Sequence, residues 1–538
     1  MKVTGFKLVV LSLSVLWLGG CPNSTKKSGT TPGNGAGGGT QANGGEGDMA
    51  EPGIAPKARP TIKLTKKEKT GYDRALKSYE RLAAKAQESG WTTGMCEKAA
   101  AAFAAVAAGN PRLFAQAKHD EGVIWLHCGK VSRARGLFQS ALAKKPHFAA
   151  SLVSLGYLAA KKGDKVQAHR MFERAFLADP RNSEASFNLG TCYRNKARAG
   201  LKLSDVELNR LRALRYASGY PAYASWIAQR ENRGRRVTYS DLATRHLQTV
   251  LAITSGATDP DSKVLNLRAY VMLALVYTDA ADVMLSKLTL ARLVVNEADS
   301  ALKEYKKPLC QGGDRVSPMD RAVGELRNVD GLIRLKGEQL VQAMKQFSAA
   351  VRCNPNYLQA HMNIGAIALS FRGYRRAKNS FSVVLHQDSN NVDAIIGLGV
   401  AYRGLSAQAM ADEKDKLLAR AEGQYKLAFR KAQPSSRYYA DALYDLGLLY
   451  QDYKAGNSDA ENKARLRTAM SYYTKFIAHP KANRKARKDA MSRKKDIIRT
   501  IDIMKQMADL KRKEAERERQ YRQTHPRPAP RKPAPRPR

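Results

Sequence analysis

Residues 115–182 read AQAKHDEGVIWLHCGKVSRARGLFQSALAKKPHF and then AASLVSLGYLAAKKGDKVQAHRMFERAFLADPRN, two segments of 34 residues that align without a gap. Gly122, Ala134, Phe138, Ala141 and Pro146 of the first recur as Gly156, Ala168, Phe172, Ala175 and Pro180 of the second. A fixed period with small residues at set places predicts one helix pair repeated, because a lone pair cannot bury its apolar face and must stack on a copy of itself. Gly122 and Ala134 mark the crossing of two antiparallel helices, where small side chains let the backbones approach, and Trp125 and Phe138 supply bulk on either side. Pro146 and Pro180 end the second helix, since the residue before a proline is pushed out of the helical region.

The phase continues outward from this pair. Ala99, Phe103, Val106 and Pro111 fit an earlier unit whose first helix spans 72–87. Leu189, Gly190 and Tyr193 open a third unit, whose second helix is delayed to 241–253 by an insertion at 198–240. Residues 265–280 and 288–302 form a pair without the signature, inside a degenerate stretch at 257–320. Gly331, Ala343, Phe347, Ala350 and Pro355 restore the phase, followed by Gly365, Ala377 and Phe381. Gly399 with Ala421, Tyr425 and Ala428, and Gly447 with Ala469 and Tyr473, open units whose second helix comes about ten residues late. Eight or nine units result, spanning 66–256 and 321–483.

This pattern resembles the tetratricopeptide repeat, in which positions 8, 20, 24, 27 and 32 of a 34-residue unit tend to be Gly, Ala, aromatic, Ala and Pro. The resemblance implies an all-α, right-handed superhelical solenoid that binds other proteins, its first helices lining a concave face. Side chains implied to point into that groove include Tyr157, Lys161, Phe187, Asn188, Arg194, Met362, Asn363, Arg403 and Tyr444. Asn188 and Asn363 resemble the residue with which such units grip an extended peptide backbone, because an amide both donates and accepts. The other reading is that each Asn bonds only to its own helix. The lysine and arginine clamp that such proteins use for a C-terminal carboxylate is absent.

Lys2 and Lys7 flank an apolar run at 8–18, too short to span a membrane as a mature helix and laid out as a signal peptide, 1–20. It ends Leu18-Gly19-Gly20-Cys21, which resembles the lipobox of bacterial lipoproteins. The resemblance implies cleavage after Gly20 and acylation of Cys21, with palmitate-type chains that anchor stably only when two or three are present. Pro22 in place of Asp favours an outer-membrane lipoprotein facing the periplasm. The rest of the segment 21–65 is Gly-, Ser-, Thr-, Asn- and Pro-rich and reads as a flexible tether with a root-mean-square reach of roughly 35 Å.

Lys and Arg outnumber Asp and Glu by 92 to 48, well beyond what solubility requires. For a secreted lipoprotein the anionic partners at hand are headgroups, lipopolysaccharide, cell-wall polymers and acidic proteins; nucleic acid is disfavoured. The insertion concentrates Arg210, Arg212, Arg215, Tyr216, Trp226, Arg235 and Arg236, which either bind an anionic polymer by charge and flat rings or form one more helix laid on the solenoid with arginines in water. Residues 484–520 read as a basic capping helix with a docking stripe of Ile497, Ile501, Met504 and Ala508. Residues 521–538 read as an extended Pro/Arg tail, either an arm for an acidic partner or a solvated end. Cys96, Cys128, Cys192, Cys310 and Cys353 are an odd number for an oxidising compartment; Cys96 and Cys128 fall on one edge of the stack, where they either bridge or stay reduced. No spacing suits a metal site, a nucleotide loop or a hydrolase elbow, so neither enzyme activity nor a cofactor is expected. Lipoprotein start, Gly-rich tether, interrupted repeats and basic tail together resemble the tetratricopeptide lipoproteins of myxobacterial gliding-motility envelope complexes. That likeness implies a scaffold holding proteins of a trans-envelope machine.

Overall fold

The computed structural model describes residues 65–281, 285–305, 309–310 and 316–524. The expected signal peptide, Cys21, nearly all of the expected tether and the tail from 525 onward lie outside the described residues. Among the described residues the secondary structure is helical throughout, apart from one isolated β-bridge between Arg215 and Pro221.

The helices pair in chain order. The first hairpins are α1 (Lys66–Ser89) with α2 (Thr93–Gly109), α3 (Phe114–His127) with α4 (Val131–Lys144), and α5 (Ala149–Lys161) with α6 (Lys165–Ala178). Helix α7 (Ser183–Arg198) is separated from its partner by α8 (Asp205–Ala213) and α9 (Ala224–Glu231), and then packs on α10 (Tyr239–Thr254). There follow α11 (Pro260–Ala280) with α12 (Ser286–Lys303), α13 (Pro318–Lys336) with α14 (Leu340–Cys353), and α15 (Leu358–Ser370) with α16 (Tyr374–Gln387). The last are α17 (Val392–Ser406) with α18 (Ala411–Lys431), α19 (Arg437–Leu448) with α20 (Asp459–Ala478), and the long α21 (Arg484–Thr524). The chain divides within α15 into two compact units, with described parts 65–360 and 361–524.

The repeat signature has a steric cause that the packing makes explicit. A Cβ placed on Gly122 would stand 2.6 Å from the Phe138 ring, and one on Gly156 would stand 2.6 Å from that of Phe172. The same contact recurs between Gly331 and Phe347 at 2.5 Å, Gly365 and Phe381 at 2.6 Å, Gly399 and Tyr425 at 2.6 Å, and Gly447 and Tyr473 at 2.5 Å. Every one of these rings is buried. Each of these six hairpins is therefore closed by an aromatic ring packed against a bare backbone. In the α7–α10 hairpin Leu247 replaces the ring against Gly190.

The turns repeat too. Gly129 and Gly163 follow α3 and α5 with φ of 72° and 84°, and Glu338 and Arg372 occupy the same register after α13 and α15 with φ of 58° and 57°. In all four turns the left-handed residue donates its N–H to a carbonyl three residues back and the next residue donates five back, closing the helix C-terminus. Two of the first helices, α7 and α17, are capped by an asparagine side chain: Asn182 accepts from the Ala185 amide at 2.8 Å, and Asn391 from that of Ala394 at 3.1 Å.

The expectation of late second helices is corrected. Helix α18 begins at Ala411, soon after α17 ends, and the extra residues before Tyr425 lengthen it at its N-terminal end. Before Tyr473 they form a π-helical turn, Leu449–Tyr453, and the first turns of α20. The Gly-to-ring contact is kept while the helix ahead of it grows.

Two disulfides are present. Cys96 on α2 bonds Cys128 at the end of α3, and Cys310 bonds Cys353 at the end of α14. Cys192 is buried on α7 and belongs to neither.

Candidate functional site

The side chains expected in a groove fall into the two units. Tyr157, Lys161, Phe187, Asn188 and Arg194 lie in the first, on α5 and α7; Met362, Asn363, Arg403 and Tyr444 lie in the second, on α15, α17 and α19. Of these, Lys161 is exposed, its ammonium 5.3 Å over the Tyr157 ring. Tyr157, Phe187 and Met362 are buried as apolar packing, and Asn188 and Asn363 are 0% and 4% exposed.

Two of the three cationic members are paired within the fold. Arg194 pairs with Asp279 of α11 at 2.9 Å, and Arg403 pairs with Asp445 of α19 at 2.9 Å. Both occupy the same register of a first helix and reach a carboxylate on a later first helix. Tyr444 donates to Asp489 of α21 at 2.7 Å, and Tyr72 donates to the buried Asp120 of α3 at 2.6 Å. Each of these bonds links two helices that are not partners in one hairpin. Arg403 and Asp445 are both buried, so losing either partner would strand a charge. Burial pushes the Asp445 carboxyl up, and Arg403 opposes that shift. At Asp441, burial raises the carboxyl to about 6 despite Arg437 beside it.

The insertion forms two short helices laid against α6 and α10, with several of its arginines paired to carboxylates while Arg210, Arg215, Arg235 and Arg236 stay exposed to water. Arg210 holds Glu173 of α6 with two bonds at 2.7 and 3.0 Å. Arg212 grips Glu231 with contacts of 2.6 Å, Arg230 pairs with Asp241 of α10, and Arg215 donates to the Arg212 carbonyl at 2.9 Å. Tyr216 packs on Phe176, ring centroids 5.5 Å apart, while Trp226 lies beneath Arg230 and Arg245, 5.4 and 4.8 Å from its centroid. Arg236 meets Asp205 at 2.9 Å in solvent, and Arg235 is exposed. The seven residues grouped by sequence thus divide: Arg210 ties the insertion to α6, Arg212, Arg215, Tyr216 and Trp226 take part in its internal packing, and Arg235 and Arg236 remain at its surface.

Beneath the insertion lies a buried polar cluster that the sequence reading missed. Tyr223 and Nε2 of His246 share a hydrogen bond of 2.8 Å, and the Tyr193 ring stacks on His246 with centroids 5.6 Å apart. His169 meets Tyr193 edge-on at 5.2 Å, and Lys196 bridges to Glu207 at 3.1 Å. Burial, with the Arg245 charge adding to it, holds His246 at about 3; burial, then Lys196 and Arg210, holds His169 well below its usual range. Both imidazoles are therefore neutral at physiological pH. The readable hint was the density of acids, Asp205, Glu207, Glu231 and Asp241, among the insertion's arginines.

Among the described residues there is no group of three His, Cys, Asp or Glu side chains placed to hold a metal ion, and no helix is long and apolar enough to cross a membrane.

No family model matches the chain. It is 38% identical over 76 residues to cellulose synthase operon protein C of Komagataeibacter sucrofermentans, a match covering 14% of this chain and 6% of that protein. The counterpart of Komagataeibacter xylinus is 36% identical over 76 residues with the same coverage, so the chain spans only a small fraction of the length of these relatives. Among solved structures, a tetratricopeptide repeat protein from Parabacteroides merdae is 15% identical with TM-score 0.31, covering 64% of this chain and 98% of that one. The tetratricopeptide domain of P58(IPK) is 15% identical with TM-score 0.20, covering 71% and 99%. Yeast Tom70 is 12% identical with TM-score 0.24, covering 74% and 97%. The fold is an all-α solenoid of tetratricopeptide type.

Proposed function

We propose that the chain is a lipid-anchored scaffold of the bacterial cell envelope that holds other proteins of a multi-component machine. The observation that carries the scaffold part is the repeated closure of hairpins by a ring on a glycine, with successive hairpins packed on one another within each unit. Support for an envelope location comes from the lipobox-like Leu18-Gly19-Gly20-Cys21 and from two intramolecular disulfides, which persist in oxidising compartments. The layout shared with gliding-motility lipoproteins makes a trans-envelope apparatus coupled to movement the machine of choice. Binding of an anionic polymer through the insertion is the weaker reading, because Arg210, Arg212 and Arg230 already hold carboxylates.

Affinity purification from membranes under mild and high salt tests the scaffold. A discrete protein set that survives high salt supports it, and recovery of salt-labile polymer alone refutes it. A Cys21→Ala chain that still partitions with membranes refutes the anchor.

A further inference from the structure

Helix α21 carries two apolar stripes. The first, Ala490, Ile497 and Ile501 with Met504 beside them, is packed in the core formed with α19 and α20. Arg493 ties this half down through Asp452 at 2.8 Å, and pairs within the helix with Asp489 at 2.7 Å. From Lys505 to Thr524 every residue is exposed, a helical overhang of about 30 Å at 1.5 Å per residue.

The second stripe runs along this overhang. Ile503, Met507 and Leu510 are 49%, 54% and 59% exposed, and the same line continues through Glu514 and Arg517 to Tyr521, 64% exposed. Spacings of four and three alternate along it, the seam of a coiled coil. Most helical stability in proteins comes from packing of an apolar face, and every residue of this overhang is exposed. Its own ion pairs, Lys505 with Asp502 at 2.9 Å and Arg512 with Asp509 at 3.8 Å, are exposed and contribute little.

We propose that the overhang of α21 is a self-association element that pairs antiparallel with the same helix of a second copy of the chain. Charge selects both occupant and direction. In an antiparallel register centred between residues 515 and 516, Leu510 packs on Tyr521 of the second copy, and Glu514 meets Arg517 of the second copy, each twice by symmetry. Lys511 then flanks Glu518 across the seam. A parallel pair would set Glu514 against Glu514 and Arg517 against Arg517. A lipid surface fits poorly, because Asp509, Glu514, Glu516 and Glu518 are interleaved with the bases, and Glu514 and Arg517 sit within the apolar line. This inference does not depend on the scaffold reading.

The test uses the full-length chain in sedimentation velocity over a range of concentrations. A reversible dimer is expected; Glu514→Arg weakens it by about tenfold or more through like charge at the seam, and the swap Glu514→Arg/Arg517→Glu restores it. Because these positions are exposed in the monomer, folding should be unaffected, and circular dichroism verifies this. A Leu510→Cys chain mixed with a differently tagged Tyr521→Cys chain should form a mixed disulfide dimer under mild oxidation, while Leu510→Cys alone does not cross-link. A chain that stays monomeric, a dimer indifferent to Glu514→Arg, a Leu510→Cys homodimer, or pelleting with phosphatidylglycerol vesicles in place of dimerisation would overturn the proposal.

Discussion

Replacing Gly156 with Ala sets two calculable effects against each other. Gly156 lies inside α5, where Ala is the better helix former by about 1 kcal/mol. The new methyl would stand 2.6 Å from Cε1 and 2.8 Å from Cδ1 of Phe172, a ring with 0% exposure and nowhere to move without displacing α6. Overpacking a close-packed core costs about 1–3 kcal/mol, and a contact this short on a buried ring belongs at the upper end. The net expectation is a loss of about 2 kcal/mol. The control is Gly136→Ala in α4, an identical chemical change with nothing within 4 Å of the added carbon, which should gain about 0.5–1 kcal/mol. Urea unfolding followed by circular dichroism at 222 nm measures both. Phe172→Leu in the Gly156→Ala background should cost about 1 kcal/mol less than in the parent chain, since the smaller side chain makes room for the methyl. If Gly156→Ala is as stabilising as Gly136→Ala, or if the double mutant shows no coupling, the steric account of the repeat is wrong.

Further outcomes follow from other features. Glu338→Gly and Arg372→Gly, which relieve left-handed backbone at residues with a Cβ, should each stabilise by about 0.5–1 kcal/mol in the same assay, whereas Gly163→Glu should do the reverse. Removing Cys96–Cys128 or Cys310–Cys353 by paired Ser substitution should cost about 3–4 kcal/mol each, given sequence separations of 32 and 43, seen as a lower midpoint that reductant no longer shifts. His246 is held at about 3 when folded and regains its usual value near 6.5 when unfolded, so the unfolded chain binds the extra proton and stability is lost as pH falls below 6.5; between pH 7.5 and 5 the loss should be about 2 kcal/mol, and His246→Gln should flatten it. Arg403→Met leaves Asp445 buried without its cation and should destabilise by about 3–5 kcal/mol at neutral pH, with Arg403→Met/Asp445→Leu recovering much of it.

The fold was legible because its cause is local and repeated. A ring 16 residues after a glycine is a contact that one hairpin must make, and the sequence displays it directly at Gly122, Gly156, Gly331 and Gly365. The bridge between Cys96 and Cys128 was half legible, since both fall on one edge of adjacent helices, but nothing around Cys310 carries a period that would place it near Cys353. Engagement of the polar side chains was not legible. The helical register fixes where Arg194 and Arg403 sit, but Asp279 lies 85 residues from Arg194 because the insertion intervenes, and Asp445 lies 42 from Arg403. The insertion's pairings were hidden in the same way: Glu173 and Asp241 sit on neighbouring helices and are brought to Arg210 and Arg230 only by docking.

Cys96–Cys128 also sets how the molecule would respond to a pull. A stack of hairpins drawn out from its leading end unzips one element after another, and α1 with the start of α2 would go first. At Cys96 the tension passes through sulfur to Cys128 and skips the 32 residues of the covalent loop, withholding roughly 110 Å of slack at 3.3–3.6 Å per residue. The bridge acts as a mechanical stop placed one helix from the entry point, so reduction should lengthen the first extension step in a single-molecule stretch by that amount.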